Sequence, residues 1–103
     1  MSEKEIRFNK DLKNLMRKLL LNYTKFFSKD NVLNSDGRKL LEEIIRLLMY
    51  EHPEYRSLVR KVRKNPTLRN IIRLAELLMD PQEIRELLSF ALYGPYKTNM
   101  DLY

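Results

Sequence analysis

Cysteine is absent from this chain of 103 residues. Disulfides, thiolate metal sites, iron–sulfur clusters and cysteine nucleophiles are thereby excluded. Glycine is almost as scarce. Gly37 and Gly94 stand alone, so there is no glycine-rich phosphate loop and no dinucleotide fingerprint. Two glycines and four prolines also leave little turn chemistry for a sheet protein. His52 is the sole histidine; next to a proline at a helix junction, it reads as a loop or capping residue. No His/Asp/Glu cluster has metal-ligand spacing, so no metal site and no cofactor are expected. Glu42–Glu43 and Glu83–Glu86 are acid pairs on helix turns, where carboxylates are solvated. The serines have no legible His–Asp partnership. The expectation is a protein that is not an enzyme.

Long apolar runs are missing too. Stretches such as Leu19–Leu21 fall far short of the roughly 20 residues that cross a bilayer. The opening MSEKEIRFNK is charged from its third residue and has no signal-peptide core. No membrane association and a cytoplasmic location are expected.

What is present is helix. A 33% charged and 44% hydrophobic composition describes a globular chain, and its apolar residues recur with a helical period. The reading is all-α: a single compact bundle of about five helices over residues 1–94, followed by a C-terminal tail over 95–103. A long first helix is predicted from about Glu3 to Phe27, opened by a capping box of Ser2 and Glu5. Its inward face is Phe8, Leu12, Leu15, Leu19, Tyr23 and Phe26. A loop over Ser28–Gly37 tucks in Val32 and Leu33. The second helix, Arg38 to Glu51, turns Leu40, Leu41, Ile44, Leu47 and Leu48 inward. It ends before Pro53, because the residue preceding a proline is pushed out of the α region.

Three short helices follow, led by Pro53, Pro66 and Pro81 at first-turn positions. Asn65 serves as N-cap ahead of Pro66, and Asp80 with Glu83 has capping-box spacing. Tyr55, Leu58, Val59 and Val62 face inward in the third helix. Leu68, Ile71, Ile72, Ala75 and Leu78 do so in the fourth, and Ile84, Leu87, Leu88 and Ala91 in the fifth. Gly94-Pro95 reads as a stop.

The net charge of +6 is unevenly spread. From Tyr55 to Ala75 the chain holds seven bases and no acid. On a helical wheel, Tyr55, Leu58, Val59 and Val62 span an arc of about 100°. Arg56, Arg60, Lys61, Arg63 and Lys64 take the opposite arc. Arg56–Arg60, Arg60–Lys64 and Arg69–Arg73 are like-charge i,i+4 pairs, each costing up to about 0.5 kcal/mol. Such repulsion is relieved by a polyanion, whereas a merely solubilising face mixes its signs. The first helix repeats the theme through Lys10, Lys13, Arg17 and Lys18. If the first and third helices lie side by side, their bases merge into one groove.

Thr67, Arg69, Asn70 and Arg73, after an Asn65-Pro66 turn, form a candidate recognition helix, though the turn lacks a helix-turn-helix glycine. Tyr50 and Tyr55 could each offer a ring to a base beside Arg56. Tyr23, Phe26 and Phe27 read as core.

A short, cysteine-free, basic, five-helix chain with the block Arg56, Arg60, Lys61, Arg63, Lys64 resembles the small α-helical subunits of CRISPR effector (Cascade-like) complexes. The resemblance is one of shape and charge over about 90 residues. It implies antiviral defense, stacking among larger protein subunits, and a positively charged path for a nucleic-acid strand.

The expected function is therefore non-enzymatic, largely sequence-independent DNA or RNA binding within a ribonucleoprotein assembly. Arg56, Arg60, Lys61, Arg63, Lys64, Arg69 and Arg73 would contact phosphates, joined by Lys10, Lys13, Arg17 and Lys18. Expected partners are nucleic acid and other protein subunits, with self-association as a further option. The rival reading is a helical adaptor or inhibitor that binds an acidic protein surface.

Overall fold

Asparagines sit at most of the joints of this fold, because a short amide side chain can replace backbone hydrogen bonds where a helix starts or stops. The computed structural model describes residues 8–94. Among them are α1 (Lys10–Leu21), α2 (Tyr23–Phe26), α3 (Ser35–Glu51), α4 (Arg56–Lys64), α5 (Leu68–Leu78) and α6 (Pro81–Tyr93), with a 3₁₀ turn at Pro53–Tyr55. The architecture is all-α. Its nearest approach to sheet is two isolated bridges, Phe27 with Leu33 and Val32 with Thr67.

The long first helix is shorter than its periodicity suggests. Phe8 and Asn9 are not helical; Asn9 is the N-cap of α1, its side chain accepting from the Asp11 N–H at 2.6 Å. Ser2 and Glu5 lie outside the described residues. At the other end Asn22 leaves the helical region (φ −104°, ψ 41°), and its side-chain amide donates to the Lys18 carbonyl at 2.8 Å. The same carbonyl also takes the Asn22 backbone N–H at 3.1 Å, and the non-helical Asn22 separates α2 from α1.

Asn34 makes the next joint. Its Oδ1 accepts from the Gly37 N–H at 2.8 Å, and its amide donates to the Lys25 carbonyl at 2.8 Å. α3 accordingly starts at Ser35, not Arg38, and Gly37 lies in its first turn. A Cβ at Gly37 would sit 2.5 Å from the Phe26 carbonyl oxygen and 2.7 Å from Leu33 Cδ2. Only glycine lets α3 approach α2 so closely.

The proline rule holds in two places and fails in one. Pro53 opens the 3₁₀ turn and Pro81 opens α6. Pro66 is buried and lies before α5; the N-cap is Thr67, which accepts from the Asn70 N–H at 3.3 Å. Asn65 instead ends α4. The Pro66 carbonyl is taken by the Leu33 N–H at 3.0 Å, and the Asn31 carbonyl by the Leu68 N–H at 2.8 Å. These long-range bonds hold the residue 28–34 loop to the α4–α5 joint, and they outweigh local proline preference. Asp80 precedes α6 in an extended conformation, but its side chain makes no capping bond. Gly94 ends α6 at φ 64°, a conformation that favours glycine. The expected tail, 95–103, lies outside the described residues.

α1, α3 and α5 supply the most completely buried side chains: Leu12, Met16, Leu19, Leu20, Leu41, Ile44, Leu48, Ile71 and Leu74, joined by Val62 of α4. Met16 and Leu20 are core residues outside the predicted α1 stripe, while Leu15 is half-buried. Val59 and Val62 anchor α4. In α6 only Ile84 is fully inside, and Leu87 and Leu88 are half-buried. α1 packs against α3 and α6, and α4 against α5 and the 3₁₀ turn.

Candidate functional site

The bases of α4 project outward because two valines, three residues apart, commit the opposite face to the core. Val59 and Val62 are buried, whereas Arg56, Arg60, Lys61, Arg63 and Lys64 are all exposed. Arg56, Arg60 and Lys64 form a row at four-residue spacing, about 6 Å apart along the axis. Among the described residues, none of Arg56, Arg60, Lys61 or Lys64 forms an ion pair.

Arg63 differs. Its Nε and Nη2 donate to both carboxylate oxygens of Glu42 on α3, at 3.0 and 2.8 Å. This hydrogen-bonded pair, and the charge of Glu42 behind it, hold the Arg63 guanidinium above its usual pKa. Arginine is charged throughout the working range in any case, so the raise reflects the contact with Glu42 and no change of charge state. Arg63 is a strut between α3 and α4, and less of its charge is free for an external anion.

Arg17 is similarly engaged. Its Nε lies 2.6 Å from Glu83 Oε2 on α6, and its Nη1 donates to Asn14 at 3.0 Å. Lys10 and Lys18 are exposed and Lys13 is half-buried. Since α1 packs against α3 and α6 while α4 packs against α5 and the turn, the two basic helices are not side by side. The merged groove expected from them does not arise that way.

On α5, Arg69 and Arg73 line a groove of about 640 Å³ whose walls also include Asp30 and Glu76. Their field is diluted by these acids, one of which comes from the distant loop. The recognition-helix set also shrinks. Thr67 is occupied as N-cap, and the Asn70 amide donates to the Asn65 carbonyl at 2.8 Å. Both polar groups close the α4–α5 joint, leaving Arg69 and Arg73, which suit phosphates as well as bases.

Between α3 and α4 runs a trough of about 380 Å³. Ile45, Met49, Pro53 and Val59 make its apolar floor, and Arg56, Arg60 and Arg63 flank it. The sequence signals α4 as basic, but the α3 side of this trough depends on which edge of α3 meets α4. Tyr55 is half-buried in a ring cluster, with Phe8 at 6.4 Å and His52 at 6.2 Å between centroids. Tyr50 is 87% exposed. Of the two candidate rings, Tyr50 is therefore the one open to solvent.

His52 packs on Phe8 at 4.7 Å and faces Glu54 across 3.3 Å, as suits a residue ending α3. Among the described residues, no group of three or more His, Cys, Asp or Glu could hold a metal ion. None of their helices is long and apolar enough to cross a membrane. Comparison with known proteins finds no matching family model, no matching curated protein and no matching solved structure.

Proposed function

We propose that this protein is a non-enzymatic binder of nucleic-acid phosphates, acting within a larger ribonucleoprotein assembly, with α4 as its principal contact. One observation carries this reading. Four exposed bases, Arg56, Arg60, Lys61 and Lys64, share a nine-residue helix with no acid among its residues. None is neutralised by an ion pair from elsewhere among the described residues. A solubilising face gains nothing from this arrangement, since like charges at i,i+4 repel. A phosphate array relieves the repulsion and releases its own counterions. The assembly, of the kind the CRISPR small subunits represent, is supported by helical layout and charge.

The test is a salt series with single-stranded and duplex oligonucleotides. The triple variant Arg56→Gln, Arg60→Gln, Lys64→Gln should weaken binding about equally for all sequences. Each lost contact should flatten the slope of log affinity against log salt by about 0.7 on single strands or 0.9 on duplex. An unchanged slope would leave α4 as a solvated face. Negligible binding of either nucleic acid at low salt would favour the adaptor reading.

A further inference from the structure

A duplex backbone has no use for an apolar trough, because its bases are stacked and paired inside the helix. An unpaired strand presents phosphates and apolar base faces together. The trough between α3 and α4 offers both complements at one place: arginines along the flank and an apolar floor that opens at Met49 and Pro53, over the buried Ile45 and Val59. Its volume of about 380 Å³ is within the range that takes ligands of small-molecule size, and a single base is one.

Tyr50 adds a second, independent feature. It follows Met49 on α3 and points about 100° further round the helix. At 87% exposure, its ring makes almost no contribution to the core. Arg46, one turn earlier on the same helix, is also exposed. A strand leaving the trough over the crest of α3 thus meets an open aromatic face beside a further cation. Aromatic rings that stack successive bases, set beside a basic groove, are the general means of binding single strands without reading sequence.

We infer that the α3–α4 trough is a single-strand site. Arg56 and Arg60 hold phosphates, the apolar floor at Met49 and Pro53 takes an unpaired base, and Tyr50 stacks an adjacent one. This inference rests on the phosphate reading above but can fail separately from it. An acidic helix would satisfy the arginines as well as a phosphate does; what favours a nucleic-acid strand as occupant is the exposed Tyr50 ring, which is suited to stacking on a base.

The experiment uses the full chain, a labelled thymidine 20-mer, a 20-base-pair duplex and polyglutamate as an acidic polypeptide. The single strand should bind at least about tenfold tighter than the duplex at matched salt. Tyr50→Ala should weaken single-strand binding by between about fivefold and a hundredfold, the range for loss of one stacking ring. It should leave duplex binding and the salt slope unchanged, and Tyr50→Phe should retain single-strand affinity. Because the chain has no tryptophan, Tyr50→Trp supplies a single indole that can be excited apart from the remaining tyrosines, and a stacked base should quench it.

Three results would overturn the inference. Duplex could bind as tightly as the single strand, Tyr50→Ala could leave single-strand affinity intact, or polyglutamate could bind as tightly and with the same dependence on Tyr50. If the glutamine variants of α4 still flatten the salt slope in any of these cases, the phosphate reading survives without the single-strand site. If no oligonucleotide binds at low salt, both readings fail together.

Discussion

α1 and α4 are both basic helices, yet the core takes a very different share of each. α1 drives four side chains, Leu12, Met16, Leu19 and Leu20, completely out of solvent, and its arginine is held by Glu83 from α6. α4 buries two valines and leaves four cations unpaired among the described residues. A count of bases along each helix does not distinguish them. Ion pairing does not distinguish them either, since among the described residues each helix has one paired arginine, Arg17 and Arg63, and Lys10, Lys13 and Lys18 form no ion pair. What distinguishes them is how much of the helix is needed for the core. α1 is a beam of the bundle, and α4 is a surface mounted on it.

The sharpest way to test that contrast is to damage each helix on the side it is said to depend on. Leu19→Ala in α1 should cost about 2–5 kcal/mol, because a fully buried leucine leaves both lost transfer energy and a cavity. Urea unfolding would show a lower midpoint with little change in slope. The α4 triple glutamine variant should leave the midpoint unchanged or slightly raised. A comparable loss from both changes would erase the distinction between beam and surface.

A smaller effect separates the two engaged arginines. Double-mutant cycles on Arg17–Glu83 and on Arg63–Glu42 should give coupling energies of about 0.2–1 kcal/mol, the range for exposed pairs. Arg17–Glu83 should stand at the upper end, since its side chains are 38% and 34% exposed against 54% and 53% for Arg63 and Glu42. Added salt should erode the Arg63–Glu42 coupling more. A reversed ranking would mean that the two hydrogen bonds of the forked pair outweigh its solvent exposure.

The smallest effect has the most diagnostic sign. Arg60 lies between Arg56 and Lys64 at four-residue steps, so Arg60→Gln removes two unfavourable pairs. The stability gain should be a few tenths of a kcal/mol for each pair and at most about 1 kcal/mol for both, greatest at low ionic strength. Thermal unfolding at two salt concentrations would measure it. A stability loss at low salt would show that Arg60 has a structural partner, and would remove it from the free row.

Most of the helices were legible in the sequence, because a 3.6-residue apolar period and a cap are local features. The stops at His52 and Gly94 and the proline start of α6 follow from the same local chemistry. The errors have two causes. Asn22 divides the first helix and Thr67 displaces Asn65 as cap through local side-chain bonds that compete closely with the alternatives. Pro66, by contrast, turns into a buried acceptor for Leu33 through a long-range bond that propensity does not contain. The α1 core stripe was drawn through Leu15, whereas burial includes Met16 and Leu20, since α1 is packed by α3 on one side and α6 on another.

The candidate site divides along the same line. The sequence by itself determined that α4 would be an amphipathic helix with five bases opposite an apolar face, because wheel position depends only on residue spacing. Only the tertiary structure decided which bases are paired among the described residues, since Glu42 reaches Arg63 from 21 residues away and Glu83 reaches Arg17 of α1 from 66. It also decided that Asn70 would close a joint and that the edge of α3 bearing Ile45 and Met49 would floor a trough beside Arg56 and Arg60. Charge falls off with distance in space, not along the chain, so the free cations of this protein could be read only once the helices were packed.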